Sequence, residues 1–127
     1  MLGNHRIHPV LLSTNLEATR VFYHDKLGLE ILVEREGEAI EFQCGAGGKL
    51  VVTQSTTGTA DSQTQVGWDV EDLEAELAEL RARGVTIEEY DLPDFKTEKG
   101  VADFGFARMA FIVDPSKNAL AIIQQKG

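Results

Sequence analysis

The stretch LEATRVFYHDKLGL, residues 16–29, decides the fold of this chain. Thr14 and Glu17 have the spacing of a capping box, in which two side chains satisfy free backbone N–H groups at a helix start. Apolar residues then recur at i, i+3 and i+4, namely Ala18, Val21 and Phe22. Gly28 is the residue type that most often follows a helix end. The stretch therefore predicts one helix that buries a single face.

Predicted strands lie on both sides of this helix. Residues 6–13 are rich in apolar and β-branched types and end at a turn-prone Ser-Thr-Asn sequence, which is typical of a strand. After the helix, strands are predicted over 29–35, 39–44 and 49–54, separated by Glu-Gly-Glu and by Gly-Ala-Gly-Gly. The first half of the chain is therefore predicted to be a βαβββ unit.

The same order of elements occurs a second time. A strand is predicted over 64–70, and Asp69 is predicted to cap a helix that Gly84 ends. The apolar face of that helix consists of Leu73, Leu77 and Leu80. Further strands are predicted over 85–90, 108–113 and 119–124, with a turn at 114–118 between the last two.

This repetition predicts an internal duplication and an α+β fold. We expect one domain over residues 1–127, with module 1 at about 5–56 and module 2 at about 63–127. The two βαβββ modules are expected to form a concave mixed β-sheet with the helices outside.

Composition and charge exclude several classes of protein. The chain has 127 residues, of which 43% are hydrophobic and 26% charged, as in ordinary globular domains. Twelve basic and 21 acidic residues give a net charge of −9, which repels nucleic acid. No apolar run reaches the roughly 18 residues of a membrane span, and no signal peptide is recognised. The single cysteine, Cys44, fits a reducing compartment, so we expect a cytoplasmic protein that contacts neither nucleic acid nor membrane.

Three stretches resemble the vicinal oxygen chelate superfamily, which contains glyoxalase I, extradiol dioxygenases, and fosfomycin and bleomycin resistance proteins. Residues 16–29 resemble its first-helix signature, and residues 70–85 resemble the helix of its second module. Residues 110–118 resemble its strand and Asp-Pro-Asp-Gly-Asn turn, with Ser116 and Lys117 at the usual Asp and Gly positions. The resemblance covers nearly the whole chain and implies a cavity built by both modules.

The resemblance also implies four inward-facing positions, which hold a divalent metal in many members of the superfamily. Here they fall on His8, Val51, Gln65 and Ala121. Two of these side chains are hydrocarbons, and a glutamine amide is a weak ligand beside imidazole or carboxylate. We therefore expect a degenerate ligand set that holds no metal and requires no cofactor.

Small-molecule binding in a metal-free cavity is then the expected function, with the substrate unassigned. One alternative is a metal-dependent lyase or dioxygenase of the glyoxalase type, with ligands such as His5, Asp69 or groups of a second chain. A second alternative is a structural or regulatory protein whose cavity is filled by side chains. The sequence does not decide whether the protein is an enzyme. The resemblance further implies a homodimer, since members of this size commonly complete their cavities by pairing.

Several residues are candidates for the ligand pocket. Strand alternation adds further positions to the four above: Val10, Leu12, Thr53, Gly67, Asp69 and Ile123. His8 either faces the pocket or is a hydrogen-bonded core residue. Gln65 either binds a ligand or pairs with backbone at a sheet end.

The segment 91–107 is long for a connection in so small a domain, which favours a functional loop such as a lid. It brings Phe106 and two further phenylalanines near Arg108. Arg108 is our candidate anchor for an anionic group on a planar ligand, because a guanidinium can bind a carboxylate through two hydrogen bonds. The alternatives are that the phenylalanines seal a sheet edge or a dimer contact, and that Arg108 forms a salt bridge to a nearby acid.

Overall fold

The computed structural model describes residues 1–59 and 63–126. These residues form two helices and ten strands, with 3₁₀ turns at Leu2–Asn4 and Gly45–Gly47. The helices are α1 (Leu16–Arg20), which continues as a π-helical stretch over Val21–Lys26, and α2 (Leu73–Ala82). The strands are β1 (Val10–Ser13), β2 (Glu30–Arg35), β3 (Ala39–Gln43), β4 (Lys49–Gln54), β5 (Thr64–Asp69), β6 (Asp91–Leu92), β7 (Phe95–Lys96), β8 (Ala102–Asp103), β9 (Ala107–Val113) and β10 (Ala119–Gln125).

Each module contributes one four-stranded sheet. Sheet 1 has the order β1-β4-β3-β2 and sheet 2 the order β5-β10-β9-β8. The first strand of each sheet is parallel to its neighbour, whereas the other pairs are antiparallel. The predicted α+β class and the mixed pairing are confirmed, and the strands form two four-stranded sheets rather than one, with β6 and β7 paired as a separate two-stranded sheet.

Both helices begin one or more residues later than predicted. Asn15, not Thr14, caps α1, because its side-chain oxygen accepts a hydrogen bond from the Ala18 N–H at 3.1 Å. Asp72, not Asp69, caps α2 by the same bond from the Ala75 N–H at 3.1 Å. A capping side chain accepts a hydrogen bond from the backbone N–H three residues after it. Thr14 and Asn15, like Asp69 and Asp72, are all residue types that can do so, and spacing alone therefore did not decide which one caps the helix.

The predicted helix ends are confirmed. Gly28 has φ of +79° and Gly84 has φ of +83°. Only glycine adopts this left-handed conformation without steric cost, which is why both helices stop there.

The strand predicted over 85–90 is not formed. The segment makes a backbone hydrogen bond to β9, from the Glu88 N–H to the Phe111 carbonyl at 2.8 Å. Val85 and Ile87 are nevertheless buried in the core. The strand hydrogen-bonded to the outer part of β9 is β8, which pairs Ala102 with Met109.

One face of each sheet packs against the helices, and we call it the helix face. Its residues in sheet 1 are Leu11, Ile40, Phe42, Leu50 and Val52, and in sheet 2 Ala110, Ile112, Leu120 and Ile122. Together with the apolar faces of both helices they form one continuous core. We call the opposite side the open face. It carries Val10, Leu12, Glu41, Lys49, Val51 and Thr53 in sheet 1, and Gly67, Asp69, Met109, Phe111, Ala121 and Ile123 in sheet 2.

The turn at 114–118, predicted from the sequence, also joins the modules. The buried Asp114 carboxylate accepts hydrogen bonds from the backbone N–H groups of Ser116 and Asn118, at 2.8 and 2.9 Å. It also accepts a hydrogen bond from the hydroxyl of Tyr23 in module 1 at 2.6 Å. Burial raises the pKa of the Tyr23 phenol. Asn118 donates to the Leu12 carbonyl in β1 at 2.8 Å. Lys117 has φ of +70°, the conformation for which the superfamily usually has glycine.

No helix in the described part of the chain has the length and apolarity needed to cross a bilayer.

Candidate functional site

The structure places two predicted pocket residues of module 1 on the open face of sheet 1. Val51 lies between Val10 on β1 and Glu41 on β3 as their registered partner. Thr53 lies two residues further along, and its hydroxyl donates to the Leu11 carbonyl at 3.4 Å. Both positions follow from strand alternation, since Leu50 and Val52 point into the core.

His8 lies just before β1 and is exposed. The next residue, Pro9, accepts a hydrogen bond from the Val51 N–H at 3.1 Å, so the chain is tied to β4 beside His8. The alternative of a buried, hydrogen-bonded core histidine does not match this placement.

Two predicted pocket residues of module 2 lie on the open face of sheet 2. Ala121 pairs with Gly67 on one side and Phe111 on the other, and Ile123 follows two residues later. A Cβ atom at Gly67 would stand 2.7 Å from the Ile123 Cδ1 atom, so this glycine makes room for the isoleucine. Ala121 is itself buried and Ile123 is half-buried, with the Phe111 side chain beside Ala121 on the neighbouring strand.

Gln65 uses its amide within the protein. Its oxygen accepts the Ala119 N–H at 2.8 Å, and its nitrogen donates to the Asn118 side-chain oxygen at 3.3 Å. The structure therefore shows the second of the two alternatives for Gln65, pairing at the end of a sheet.

The four degenerate positions do not fit a divalent metal. Val51 and Ala121 offer no lone pair and lie in different sheets, and the Gln65 oxygen already accepts a backbone N–H. Within residues 1–59 and 63–126, no three His, Cys, Asp or Glu side chains are grouped so that they could hold an ion. Two further donors were considered from the sequence. Asp69 accepts a hydrogen bond from Gln125 at 3.3 Å on the open face of sheet 2, and His5 is exposed at the end of the first 3₁₀ turn.

The placement of Arg108 corrects our sequence-based interpretation. Arg108 pairs with Gln124 in the β9–β10 register and shares the helix face with Ala110 and Ile112. Its guanidinium binds the Glu74 carboxylate on α2 through both terminal nitrogens, one of them at 3.3 Å. This ion pair lowers the pKa of Glu74 and raises that of Arg108. Arg108 therefore connects helix and sheet, which was the alternative considered, and does not face a ligand on the open side.

Five aromatic rings form a cluster at the open side of sheet 2: Tyr90, Phe95, Phe104, Phe106 and Phe111. Phe95 is central, with its ring centroid 5.0 Å from that of Tyr90 and 5.3 Å from that of Phe111. Phe106 lies at the outer end, 63% exposed and 6.3 Å from Phe104. The long loop thus folds its phenylalanines toward the open face.

A cavity of about 540 Å³ opens beside this cluster. It is lined by Gln63, Thr64, Tyr90, Leu92, Phe95 and Phe111. None of the residues predicted for the pocket lines this cavity. The sequence interpretation missed Tyr90 and Phe111, and it considered Phe95 only as part of the long loop. Counting outward from the turn at 114–118 sets Phe111 opposite Ala121, and that register would have identified it.

Three charged side chains on and beside the open face of sheet 1 were also missed. The Glu41 carboxylate accepts a hydrogen bond from Arg35 at 2.5 Å and another from Lys49 at 3.0 Å. These bonds, that from Arg35 first, hold the pKa of Glu41 below its ordinary value. Alternation in β3 and β4 places Glu41 and Lys49 on the same side as Val51, so the signal was present in the sequence.

Comparisons with known proteins agree with this architecture. A sequence model of the Glyoxalase/Bleomycin resistance protein/Dioxygenase superfamily matches residues 6–122. No curated protein sequence matches the chain.

Solved structures with a similar fold include a bleomycin-binding protein in complex with bleomycin, at 21% identity and a TM-score of 0.72 over 96% of this chain and 99% of that one. An antibiotic-binding protein from Streptomyces sp. CB03234 has 20% identity and a TM-score of 0.69, covering 96% of this chain and 98% of its own. A lactoylglutathione lyase from Agrobacterium tumefaciens has 18% identity and a TM-score of 0.68, covering 94% and 92%. At these identities the likeness shows a shared fold.

Since the superfamily model spans almost the whole chain and the paired βαβββ sheets have the same fold, this protein belongs to the Glyoxalase/Bleomycin resistance protein/Dioxygenase superfamily.

Proposed function

We propose that this protein binds a small, largely apolar and planar organic molecule at the open faces of its sheets, without a metal ion. The observation that carries the proposal is the aromatic cluster beside the 540 Å³ cavity, which Tyr90, Phe95 and Phe111 line. Ligand sites of this volume range are mostly apolar with a few polar groups, as here. The bleomycin-binding and antibiotic-binding structures of the same fold bind small molecules by their names, which supports the proposal.

The uncharged dye N-phenyl-1-naphthylamine, which fluoresces when bound to apolar surface, is a direct probe. We expect saturable binding that Phe111→Ala weakens by about tenfold, because a stacked aromatic ring of this size contributes roughly 1.5 kcal/mol or more. Val113→Ala is the matched control, since it truncates an apolar side chain of the same strand that does not line the cavity. Circular dichroism checks that both variants fold, and Phe95→Ala provides a second variant on the loop. Absence of saturable binding, or equal affinity of wild type and both phenylalanine variants, would overturn the proposal.

The metal-free part of the proposal has its own test. We expect purified protein to carry no stoichiometric zinc, nickel, manganese or iron by elemental analysis, because the ligand positions Val51 and Ala121 have no donor atoms. One tightly held ion per chain that is lost on His8→Ala would instead support the lyase or dioxygenase alternative.

We also propose that the protein is a homodimer. Each module has its own open face, and β1 and β5 are the edge strands of the two sheets. Val10 and Leu12 on the edge strand β1 are 53% and 38% exposed, so two apolar side chains meet solvent side by side on the open face. A second copy that places one open face against the other would cover them and enclose the ligand.

Sedimentation equilibrium tests this assembly. We expect a mass of twice the 13.9 kDa chain, and a monomer after Leu12→Lys, since a buried lysine would oppose apolar contact. A monomeric wild type at micromolar concentration would contradict the homodimer.

A further inference from the structure

Arg35, Glu41 and Lys49 form a charged group on sheet 1. Its two cations keep N–H groups that make no hydrogen bond to Glu41, whereas both oxygens of the Glu41 carboxylate accept one. Both oxygens of the Glu41 carboxylate are engaged, one by Arg35 and one by Lys49. The Arg35 guanidinium has five N–H donors and the Lys49 ammonium has three, and each cation donates one hydrogen bond to Glu41. The remaining donors are available to a ligand that accepts hydrogen bonds.

The exposure of the Arg35, Glu41 and Lys49 side chains also favours a ligand that contacts the cations. Arg35 and Lys49 are 50% and 35% exposed, whereas Glu41 is only 14% exposed beneath them. Solvent therefore meets two cations held in place by a carboxylate. Because Glu41 fixes their positions, less side-chain entropy is lost when they bind a ligand.

The group lies on the open face of sheet 1, one of the two open faces to which the proposed ligand binds. Glu41 is the registered neighbour of Val51, and Lys49 lies two residues before Val51 on the same face. Other arginines are committed on the helix side, where Arg20 pairs with Glu34 and Arg83 with Glu79. Arg35 and Lys49 share one carboxylate, so the group of three side chains carries a formal charge of +1.

We propose that Arg35 and Lys49, positioned by Glu41, bind an anionic group of the ligand, such as a carboxylate or sulfonate. This inference rests on the proposed function and specifies its ligand class as planar molecules with one negative charge. It moves the anion-binding role from Arg108, which faces the helices, to module 1.

A pair of dyes isolates the charge. The dye 8-anilinonaphthalene-1-sulfonate has the ring system of N-phenyl-1-naphthylamine plus one sulfonate. We expect Arg35→Gln and Lys49→Gln each to weaken the sulfonated dye by about tenfold, the effect of losing one charge-assisted hydrogen bond, and to change the affinity for the neutral dye by less than about twofold. Arg20→Gln is the matched control, since it removes an equal charge on the helix side and should leave both affinities within about twofold.

The two proposals fail in distinguishable ways. If neither dye binds saturably, or Phe111→Ala weakens neither, the proposed function itself is wrong. If the neutral dye binds through Phe111 but Arg35→Gln and Lys49→Gln affect the sulfonated dye no more than Arg20→Gln does, only the anion site is wrong. Equal losses for both dyes in Arg35→Gln and Lys49→Gln would also overturn it, because they would show that the cations support the fold. Both variants alter exposed side chains, and circular dichroism verifies that they fold.

Discussion

Module 1 and module 2 bury corresponding residues but expose different chemistry. Leu50 on β4 and Leu120 on β10 occupy the same place in their sheets, and both are buried in the shared core. On the opposite face, Glu41 is the registered partner of Val51, and Phe111 is that of Ala121. The equivalent position is therefore a carboxylate between two cations in module 1 and a ring within an aromatic cluster in module 2.

The modules also differ in the turn before their last strand. In module 1 this turn is glycine-rich, from Gly45 to Gly48. In module 2 it is a buried polar turn whose Asp114 binds Tyr23 of the other module. The difference teaches that the duplicated core tolerates little change because its apolar helix-face residues are packed, whereas the open faces and turns acquired separate roles.

The largest expected effect comes from breaking the part that the modules share. Leu50→Ala and Leu120→Ala should each lower the free energy of unfolding by about 3–5 kcal/mol, because each leaves a cavity in the core. Urea denaturation followed by circular dichroism measures the loss. Since one core spans both modules, each variant should shift a single transition. Two separate transitions, or a loss confined to one variant, would show that the modules are not equivalent.

The second-largest loss of stability is expected at the polar turn of module 2, residues 114–118. Asp114→Ala removes a carboxylate that accepts four hydrogen bonds, from Ser116, Tyr23 and both nitrogens of Asn118. We expect a loss of about 2–4 kcal/mol in unfolding free energy, because buried donors remain without an acceptor. Asp94→Ala, an exposed acid in the long loop, is the control and should change stability little. A similar loss in both variants would contradict the role of the turn.

A smaller effect of the opposite sign is expected at two turn positions, one in each module. Ala46 and Lys117 have φ of +56° and +70°, a conformation that costs energy for any residue with a Cβ atom. Ala46→Gly and Lys117→Gly should each stabilise the protein by about 0.5–1 kcal/mol, after the extra freedom of glycine in the unfolded chain is subtracted. Thermal unfolding measures this. Asp94 does not have a positive φ, so Asp94→Gly relieves no backbone strain and should lower the melting temperature slightly. A higher melting temperature for Asp94→Gly would contradict this explanation.

The smallest effect is expected at Arg108. Its ion pair with Glu74 lies on the helix face, with 60% of the Glu74 side chain exposed. Arg108→Gln should therefore leave the dissociation constants of both dyes within about twofold of wild type, in contrast to Arg35→Gln. A selective loss of the sulfonated dye in Arg108→Gln would restore Arg108 as the anion anchor.

Much of the fold could be predicted because it depends on local patterns. The duplicated βαβββ order, the helix ends at Gly28 and Gly84, and the whole of β4 follow from spacing and residue type over short stretches. The same alternation correctly assigns Val51 and Ala121 to the face opposite the core residues Leu50 and Leu120.

The candidate site depended on tertiary structure in three respects. Arg108 lies on the helix face because β9 pairs with β10 in a register set by the turn at 114–118, and a shift of one residue moves a side chain to the other side of a sheet. The segment 85–90 is apolar enough for a strand, yet β8 takes the place beside the outer part of β9. The aromatic cluster joins Tyr90, Phe95 and Phe111, which are brought together only when the long loop folds back.

The sequence by itself determined the apolar faces of the two helices and of the long strands, because hydrophobic periodicity is a property of neighbouring residues. Only the tertiary structure decided the partners: Glu74 for Arg108, Asp114 for Tyr23, and Glu41 for Arg35 and Lys49. The free energy of such a contact depends on the distance and orientation of groups on separate elements. Those are fixed by strand register and helix packing across the whole chain.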